Sequence, residues 1–292
     1  FENVVALLSG ATHFTTLDLA SFYHQVLLHP DSRECCAFKT PFGLFEFVVM
    51  PFGLCNAAAS ACELMESVLR EVPPGCRSRL GSPLGRYACS FIDDVLIWSK
   101  SAEEHAAHVR AVFDLLEKHD LRVAPKKCTF GRQEVTFLGH VVGSSGIRTD
   151  PAKIEVVAQW PEPRDKTELR QFLGLCSFYR KFVHRFADLA SPLTALLKDD
   201  STFGEAGTSA EQREAAWGPT QRQAFERLRT SLVQAPVLLP VDPERSFVLR
   251  TDASEQAMGA VLYQEHEDGL HPVEFRSKRL APHQQRYAAH VR

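Results

Sequence analysis

The string Phe91-Ile92-Asp93-Asp94-Val95-Leu96-Ile97 sets two adjacent carboxylates inside an otherwise apolar run. The flanking aliphatic and aromatic residues favour two β-strands, with the acids at or beside the turn between them. Adjacent carboxylates in apolar surroundings repel one another and lose hydration, so the pair is unfavourable without a counter-ion. A divalent metal meets that need, because Mg²⁺ prefers oxygen ligands and bridges a few carboxylates to substrate phosphates. An ordinary two-residue hairpin turn would instead use Asp-Gly or Asn-Gly. The pair asks for a third acid, and Asp18, which ends the apolar run in Thr16-Leu17-Asp18-Leu19, is the best candidate. The expectation is that all three meet on adjacent strands.

A chain of 292 residues with 45% hydrophobic content is long enough for two compact units. Strand-like runs at 13–18, 46–50, 87–92, 95–98 and 135–142 alternate with helical ones at 57–69 and 102–119, an α+β pattern with hairpins. Residues 151–198 are mostly helical in period, with Pro161 and Pro163 interrupting and Phe172, Leu175, Tyr179 and Phe182 at helical spacing. The polar stretch 199–216, with Gly204 and Gly207, has the composition of a flexible linker. A helix over 221–233 then precedes paired strands at 246–251 and 257–264 around Asp252.

No apolar run approaches the roughly 18 residues that a membrane-spanning helix requires, so no membrane partner is expected. The opening Phe1-Glu2-Asn3 has neither initiator Met nor signal peptide, which suggests a piece of a longer chain. Eight Cys occur with no C-x-x-C pair and no zinc-finger spacing, and are expected to be reduced thiols of an intracellular protein. The net charge of −3 argues against a strongly basic nucleic-acid binder. Charge acts locally, however, and 164–198 holds seven Lys or Arg against three Asp or Glu. His105 and His108, at i and i+3, could share a metal, but Glu103 and Glu104 beside them favour a solvated helix face.

Leu17-Asp18-Leu19, Met50-Pro51-Phe52-Gly53-Leu54 and Phe91-Ile92-Asp93-Asp94, in this order, closely resemble the reverse transcriptases of gypsy-type long-terminal-repeat retrotransposons. The resemblance continues through Pro125-Lys126-Lys127-Cys128, Phe137-Leu138-Gly139-His140, Phe172-Leu173-Gly174-Leu175 and Tyr179-Arg180-Lys181-Phe182, and so covers nearly the whole chain. It implies a polymerase palm with partial fingers over 1–142, a helical thumb or connection over 143–198, the linker over 199–216 and an incomplete ribonuclease H-like α/β domain over 217–292. The implied activity is RNA- and DNA-directed DNA synthesis, with Asp18, Asp93 and Asp94 holding two Mg²⁺ ions for in-line transfer to a primer 3′-hydroxyl.

By the same resemblance, Leu19, Tyr23, Phe52, Gly53 and Lys126 would lie beside the incoming deoxynucleoside triphosphate, with Tyr23 excluding a ribose 2′-hydroxyl and Lys126 near the pyrophosphate. Phe137, Leu138, Gly139 and His140 would grip the primer end, while basic helices around Arg180, Lys181 and Arg185 would track the phosphates of an RNA or DNA template with its primer. Thr251-Asp252-Ala253-Ser254 resembles the first metal-binding segment of ribonuclease H, with Asp252 as its carboxylate. The next catalytic glutamate, counted from 285–290, would fall just past Arg292. Neighbouring protease and integrase domains, and a cytoplasmic virus-like particle as location, follow as expectations from the resemblance.

The chain departs from the family pattern in several places. Phe22 stands where a small residue usually precedes the sugar-excluding aromatic, and is expected to crowd the nucleotide pocket. Ala58-Ala59-Ser60-Ala61 replaces Pro-Ala-Thr-Phe, and Phe91 replaces a commoner Tyr. A basic fingertip segment that clamps the triphosphate would precede Phe1. These departures motivate an alternative, a non-catalytic remnant or domesticated template-binding protein. An RNA-templated RNA polymerase would share the metal acids but not Tyr23 together with the ribonuclease H-like tail.

Overall fold

The computed structural model describes residues 8–71, 87–198, 203, 216–242, 244–281 and 283–287. The chain divides into two compact units, 1–138 with 142–144 and 139–141 with 145–292.

The first unit is organised by an antiparallel sheet of β1 (His13–Asp18), β4 (Ala88–Phe91), β5 (Asp94–Ser99) and β6 (Thr129–Arg132), in the order β4-β5-β1-β6. Two helices, α1 (Ala57–Arg70) and α2 (Ala102–Lys118), complete its core. Ala57, Ala61, Met65, Val68 and Leu69 line one side of α1 at helical spacing. They pack with Val112, Leu115 and Leu116 of α2 and with Leu17, Val95 and Ile97 of the sheet. Ser101 starts α2 as its N-cap, its hydroxyl accepting from the Glu104 amide at 3.3 Å, with Glu103 and Glu104 placed favourably in the first turn.

Between β1 and α1 lies a short hairpin, β2 (Phe38–Thr40) with β3 (Gly43–Phe45). The strand expected at 46–50 is reduced to a single bridge between Leu27 and Val49. Burial still alternates here, with Phe47 and Val49 half-buried between exposed Glu46 and Val48, but the facing segment at Leu27 supplies only that one bridge. The apolar run at 135–142 is likewise two strands, β7 (Glu134–Phe137) and β8 (His140–Gly143), joined by Leu138 and Gly139 at φ 47° and 70°. Two successive positive φ values make a tight hairpin turn. β9 (Gly146–Thr149) follows β8 in the same three-stranded sheet.

Two expectations about individual side chains need correction. Phe22 does not crowd a pocket: it is 3% exposed and belongs to the hydrophobic core with Leu17, Leu19 and Met50. A larger apolar side chain at that position adds to the core because the turn points it inward. His105 is not on a solvated face either, being 5% exposed, with Nε2 2.7 Å from Thr15 Oγ1 and Nδ1 2.9 Å from Ser99 Oγ. Ser99 Oγ also lies 2.7 Å from His108 Nδ1, and the His108 ring stacks on Tyr87 at 3.8 Å. These hydrogen bonds satisfy the polar atoms that α2 buries against β1 and β5.

The second unit contains α3 (Pro151–Ala158), α4 (Lys166–Phe178), α5 (Phe186–Ala195), α6 (Pro219–Val233) and an antiparallel sheet of β10 (Phe247–Ala253), β11 (Ala257–His266) and β12 (Gly269–Arg279). Asp165 caps α4, its carboxylate accepting from Thr167 and Glu168 amides at 2.7 and 2.8 Å. Phe172 of α4 meets Phe225 of α6 with ring centroids 4.5 Å apart. The proposed linker 199–216 lies mostly outside the described residues, although Phe203 is buried and stacks with Trp217 at 5.6 Å. β12 was hidden in the sequence by Pro272 and alternating charges. A register shift between Leu262 and Tyr263, where Tyr263 pairs with Pro272, accommodates the missing amide. Arg180–Phe182, expected as part of a basic helix, is a short 3-10 turn between α4 and α5.

Candidate active site

Asp18 and Asp94 are direct cross-strand partners at the end of the β1–β5 ladder. Partners across a sheet share a face, so the two carboxylates stand on the same side, an arrangement that is destabilising for like charges. Asp93 lies in the two-residue turn between β4 and β5, where Phe91 pairs with Asp94. Its carbonyl accepts a hydrogen bond from the Leu19 amide at 2.9 Å, which ties the turn to the end of β1. Ile92, the other turn residue, has φ 56°. Positive φ is a genuine outlier for a β-branched residue and costs about 1–3 kcal/mol, a strain that clusters at functional sites.

The electrostatics follow from this geometry. Burial, then repulsion by Asp93 and by Asp18, hold the Asp94 carboxyl above the ordinary carboxylate range, and Lys127 opposes the shift. The Lys127 ammonium sits 3.2 Å from both carboxylate oxygens of Asp18. It is delivered by the 3-10 turn Pro125–Lys127, whose approach is fixed by Ala124 donating to the Asp18 carbonyl at 2.8 Å. Asp18, Asp94 and Lys127 open on a cleft of about 420 Å³ lined also by Arg132, Glu134 and Phe137.

Among the described residues no group of three Asp, Glu, His or Cys side chains is placed to hold a metal ion, so Asp18 and Asp94 face each other as a pair and Asp93 does not complete a set of three. An open pair suits Mg²⁺, which is commonly held by one or two carboxylates together with substrate phosphates. The raised Asp94 and the ammonium on Asp18 mark a place that favours added positive charge.

Tyr23 lies on the 3-10 turn Phe22–Gln25 and meets Phe52 edge-on at 5.5 Å, with His24 on the same ring at 5.2 Å. Phe52 is 70% exposed and Gly53 has φ 92°. Leu19, by contrast, is buried in the core and touches the site only through its backbone. Both adjacent lysines are exposed, and the one whose ammonium reaches Asp18 is Lys127 rather than Lys126. Sequence gave no means to separate them, since a turn decides which of two neighbours points inward.

In the second unit, Gly139 and His140 pack into an aromatic cluster. His140 is buried against Phe178, Tyr179 and Phe182, and the Tyr179 hydroxyl donates to the Gly139 carbonyl at 2.6 Å. Burial pushes the Tyr179 hydroxyl up to about 12, so it remains a donor. Phe137 is buried and Leu138 lines the cleft of the first unit. Arg180 is exposed, and the Lys181 ammonium lies 5.5 Å from the Phe182 ring centroid.

Arg185 is engaged with carboxylates, Nε 2.8 Å from Asp188 and Nη1 3.2 Å from Asp252. Ser254 donates to the other Asp188 oxygen at 2.7 Å, so the Thr251–Ser254 segment is moored to α5. Sequence reasoning singled out neither Asp188 nor Gln25, whose side chain bridges the segments flanking Asp18. Both are ordinary polar residues whose partners are far away in the chain.

The family of reverse transcriptase (RNA-dependent DNA polymerase) matches residues 2–142, and the RNase H-like domain found in reverse transcriptase matches 217–292. The chain is 35% identical over 292 residues to the retrovirus-related Pol polyprotein from transposon 297 of Drosophila melanogaster, covering 99% of this chain and 25% of that polyprotein. It is 35% identical over 288 residues to the transposon Tf2-3 polyprotein of Schizosaccharomyces pombe, covering 98% of this chain and 20% of that one. The chain thus spans a quarter or less of these relatives. A foamy viral protease-reverse transcriptase solved in complex with double-stranded DNA shares the fold, with a TM-score of 0.80 at 21% identity over 99% of this chain and 47% of the other. The foamy viral enzyme solved with an RNA/DNA hybrid gives the same TM-score and identity, over 36% of its length.

Proposed function

Because the chain belongs to the reverse transcriptase family and carries the RNase H-like domain found with it, we propose that it is a template-directed DNA polymerase that extends a primer 3′-hydroxyl on RNA or DNA. The observation that carries the reading is the placement of Asp18 opposite Asp94, with Asp93 in the adjoining turn, at the mouth of a cleft.

Asp18 and Asp94 would hold Mg²⁺ between them, and Asp93, in the adjoining turn, is the third ligand that the family resemblance implies for a site of two ions. Bound there, the ions supply neutralisation of the triphosphate and acidification of the primer hydroxyl. The chain's own residues do the rest by positioning. Tyr23, braced edge-on by Phe52, presents an aromatic edge that excludes a ribose 2′-hydroxyl. Lys127 satisfies Asp18 until a cation and the phosphates arrive, and its ammonium is then free to pair with phosphate oxygens. The match to part of a Pol polyprotein supports neighbouring domains, of which the family resemblance implies a protease and an integrase, and a template–primer partner agrees with the nucleic acids bound by the foamy viral enzymes.

Asp252 does not by itself fit a metal. Its carboxylate faces the Arg185 guanidinium, which Asp188 shares. No nuclease step is therefore derived from it.

The test is primer extension on RNA and DNA templates with Mg²⁺ and deoxynucleoside triphosphates, comparing the parent chain with Asp93→Asn. Extension by the parent and its loss in the variant is the expected result. Equal extension by both would sink the assignment of the acids, and salt-sensitive template binding without any extension by the parent would favour a binding role instead.

A further inference from the structure

Gln25 closes the same 3-10 turn that carries Tyr23, and its side-chain amide makes hydrogen bonds to two backbone segments. Nε2 donates to the Ala20 carbonyl at 2.6 Å and to the Arg122 carbonyl at 3.0 Å, and Oε1 accepts from the Arg122 amide at 2.7 Å. Arg122 thus has both its N–H and its C=O engaged by one side chain, as it would by a neighbouring residue in a β-ladder.

The position of this contact gives it meaning. Beyond Asp18 the chain continues the ladder for two residues: Leu19 bridges Val123, and Ala20 donates to the Arg122 carbonyl at 2.9 Å. Ser21 then leaves the ladder at φ 49° and starts the turn. At that point the Gln25 Oε1 stands in for a backbone acceptor of the Arg122 amide, while Nε2 joins the Ala20 amide on the Arg122 carbonyl. The side chain locks the Tyr23 turn to the segment that runs through Ala124, which donates to the Asp18 carbonyl, into the turn delivering Lys127.

We propose that Gln25 is a positioning residue for sugar selection, its amide fixing the Tyr23 turn in register with Asp18 and Lys127. The inference rests on the polymerase reading above and adds a residue that touches no substrate. Only a Gln has the reach and both donor and acceptor: Glu keeps the shape but places a carboxylate against the Ala20 and Arg122 carbonyls, and Met keeps the stem without either function.

The experiment compares the parent chain, Gln25→Met and Gln25→Glu in single-nucleotide extension with deoxy- and ribonucleoside triphosphates. Hydrogen exchange of the Arg122 amide is followed alongside. Gln25→Met is expected to lose Arg122 protection, Gln25→Glu to keep an acceptor for that amide while losing both donations, and both to lower the ratio of kcat/KM for deoxy over ribo substrates by roughly tenfold, since misplacement by about 1 Å suffices for such effects. Binding of Mn²⁺, as a probe of the acids, should stay within about twofold of the parent, well under the 1.4 kcal/mol that a tenfold change represents.

An unchanged ratio despite lost Arg122 protection overturns the inference, as does a uniform fall in both activities at constant ratio, which is what a merely structural role predicts. Retained Arg122 protection in Gln25→Met also overturns it, because the amide then bonds elsewhere. A parent chain that extends nothing fails the polymerase reading itself, and the inference with it.

Discussion

At the residue scale, the adjacent acids put the proposed catalytic role and stability in opposition. Asp94 binds its proton more tightly in the folded protein than its ordinary value of 3.8, so folding is favoured below that value and the contribution is lost as pH rises through the shifted pKa. Asp94→Asn should therefore abolish extension while raising the metal-free melting temperature at neutral pH by about 1–3 °C. The difference should shrink as the pH falls through the shifted value and below 3.8, where Asp94 is protonated in both states. Calorimetry of the two proteins without divalent cations across that range checks both parts. A variant less stable than its parent at neutral pH would mean that Lys127 outweighs the repulsion. Phe22 belongs to the same scale: buried in the core, it gives no ground for an inactive pocket, and Phe22→Gly should destabilise the first unit by about 3–5 kcal/mol rather than restore activity.

At the element scale, the docking of α2 on the sheet depends on neutral imidazoles. Burial is the main cause that lowers the pKa of both His105 and His108 from 6.5, with His13 and His108 adding to the effect on His105, while Glu104 and a backbone bond to Trp98 oppose it at His108. A depressed histidine stabilises the fold above its unfolded pKa, and that stability is lost as pH falls through the folded value. Denaturation of the parent should show stability declining below about pH 6.5, the unfolded histidine value, with a shallower decline in His105→Gln. An equal slope in the two would exclude this network as the cause.

The β9 start offers a second check at this scale. Gly146 has φ 125°, and a Cβ there would lie 2.5 Å from the Leu238 carbonyl oxygen, beside the paired hydrogen bonds of Ile147 and Leu238. Gly146→Ala should cost about 2–4 kcal/mol by strain and overpacking together. Chemical denaturation monitored at Trp217 in the same unit would measure it.

At the scale of the whole molecule, a net charge of −3 means that the proposed affinity for template and primer would have to come from local positive charge. Arg180 and Lys181 are the exposed or half-exposed cations of the turn between α4 and α5, whereas Arg185 is held by Asp188 and Asp252. Replacing Arg180 and Lys181 by Ala should weaken binding to unrelated sequences alike and reduce the salt slope by about 1–2. Arg185→Ala should leave that slope nearly unchanged and loosen the Thr251–Ser254 segment from α5, readable by hydrogen exchange. A large change of slope from Arg185 would mean that its carboxylate pairs give way to phosphate.

What the sequence determined by itself were the elements and chemistry that rest on local pattern. The acids in an apolar hairpin, the helical spacing of α1 and α2 and the ordered motifs are properties of neighbouring residues, and a period of two or of 3.6 can be seen without partners. Tertiary structure decided the rest, because it depended on groups distant in the chain. Whether Lys126 or Lys127 faces Asp18 was set by a turn pinned to β1 through Ala124, and Phe22 was turned inward by the αL residue before it. His105 lost its expected solvated place to hydroxyls on β1 and β5, and β12, whose own pattern is broken by Pro272, exists because β11 supplies its hydrogen bonds. Gln25 shows the reason most clearly: an amide has no direction until a backbone 97 residues away presents the complementary groups.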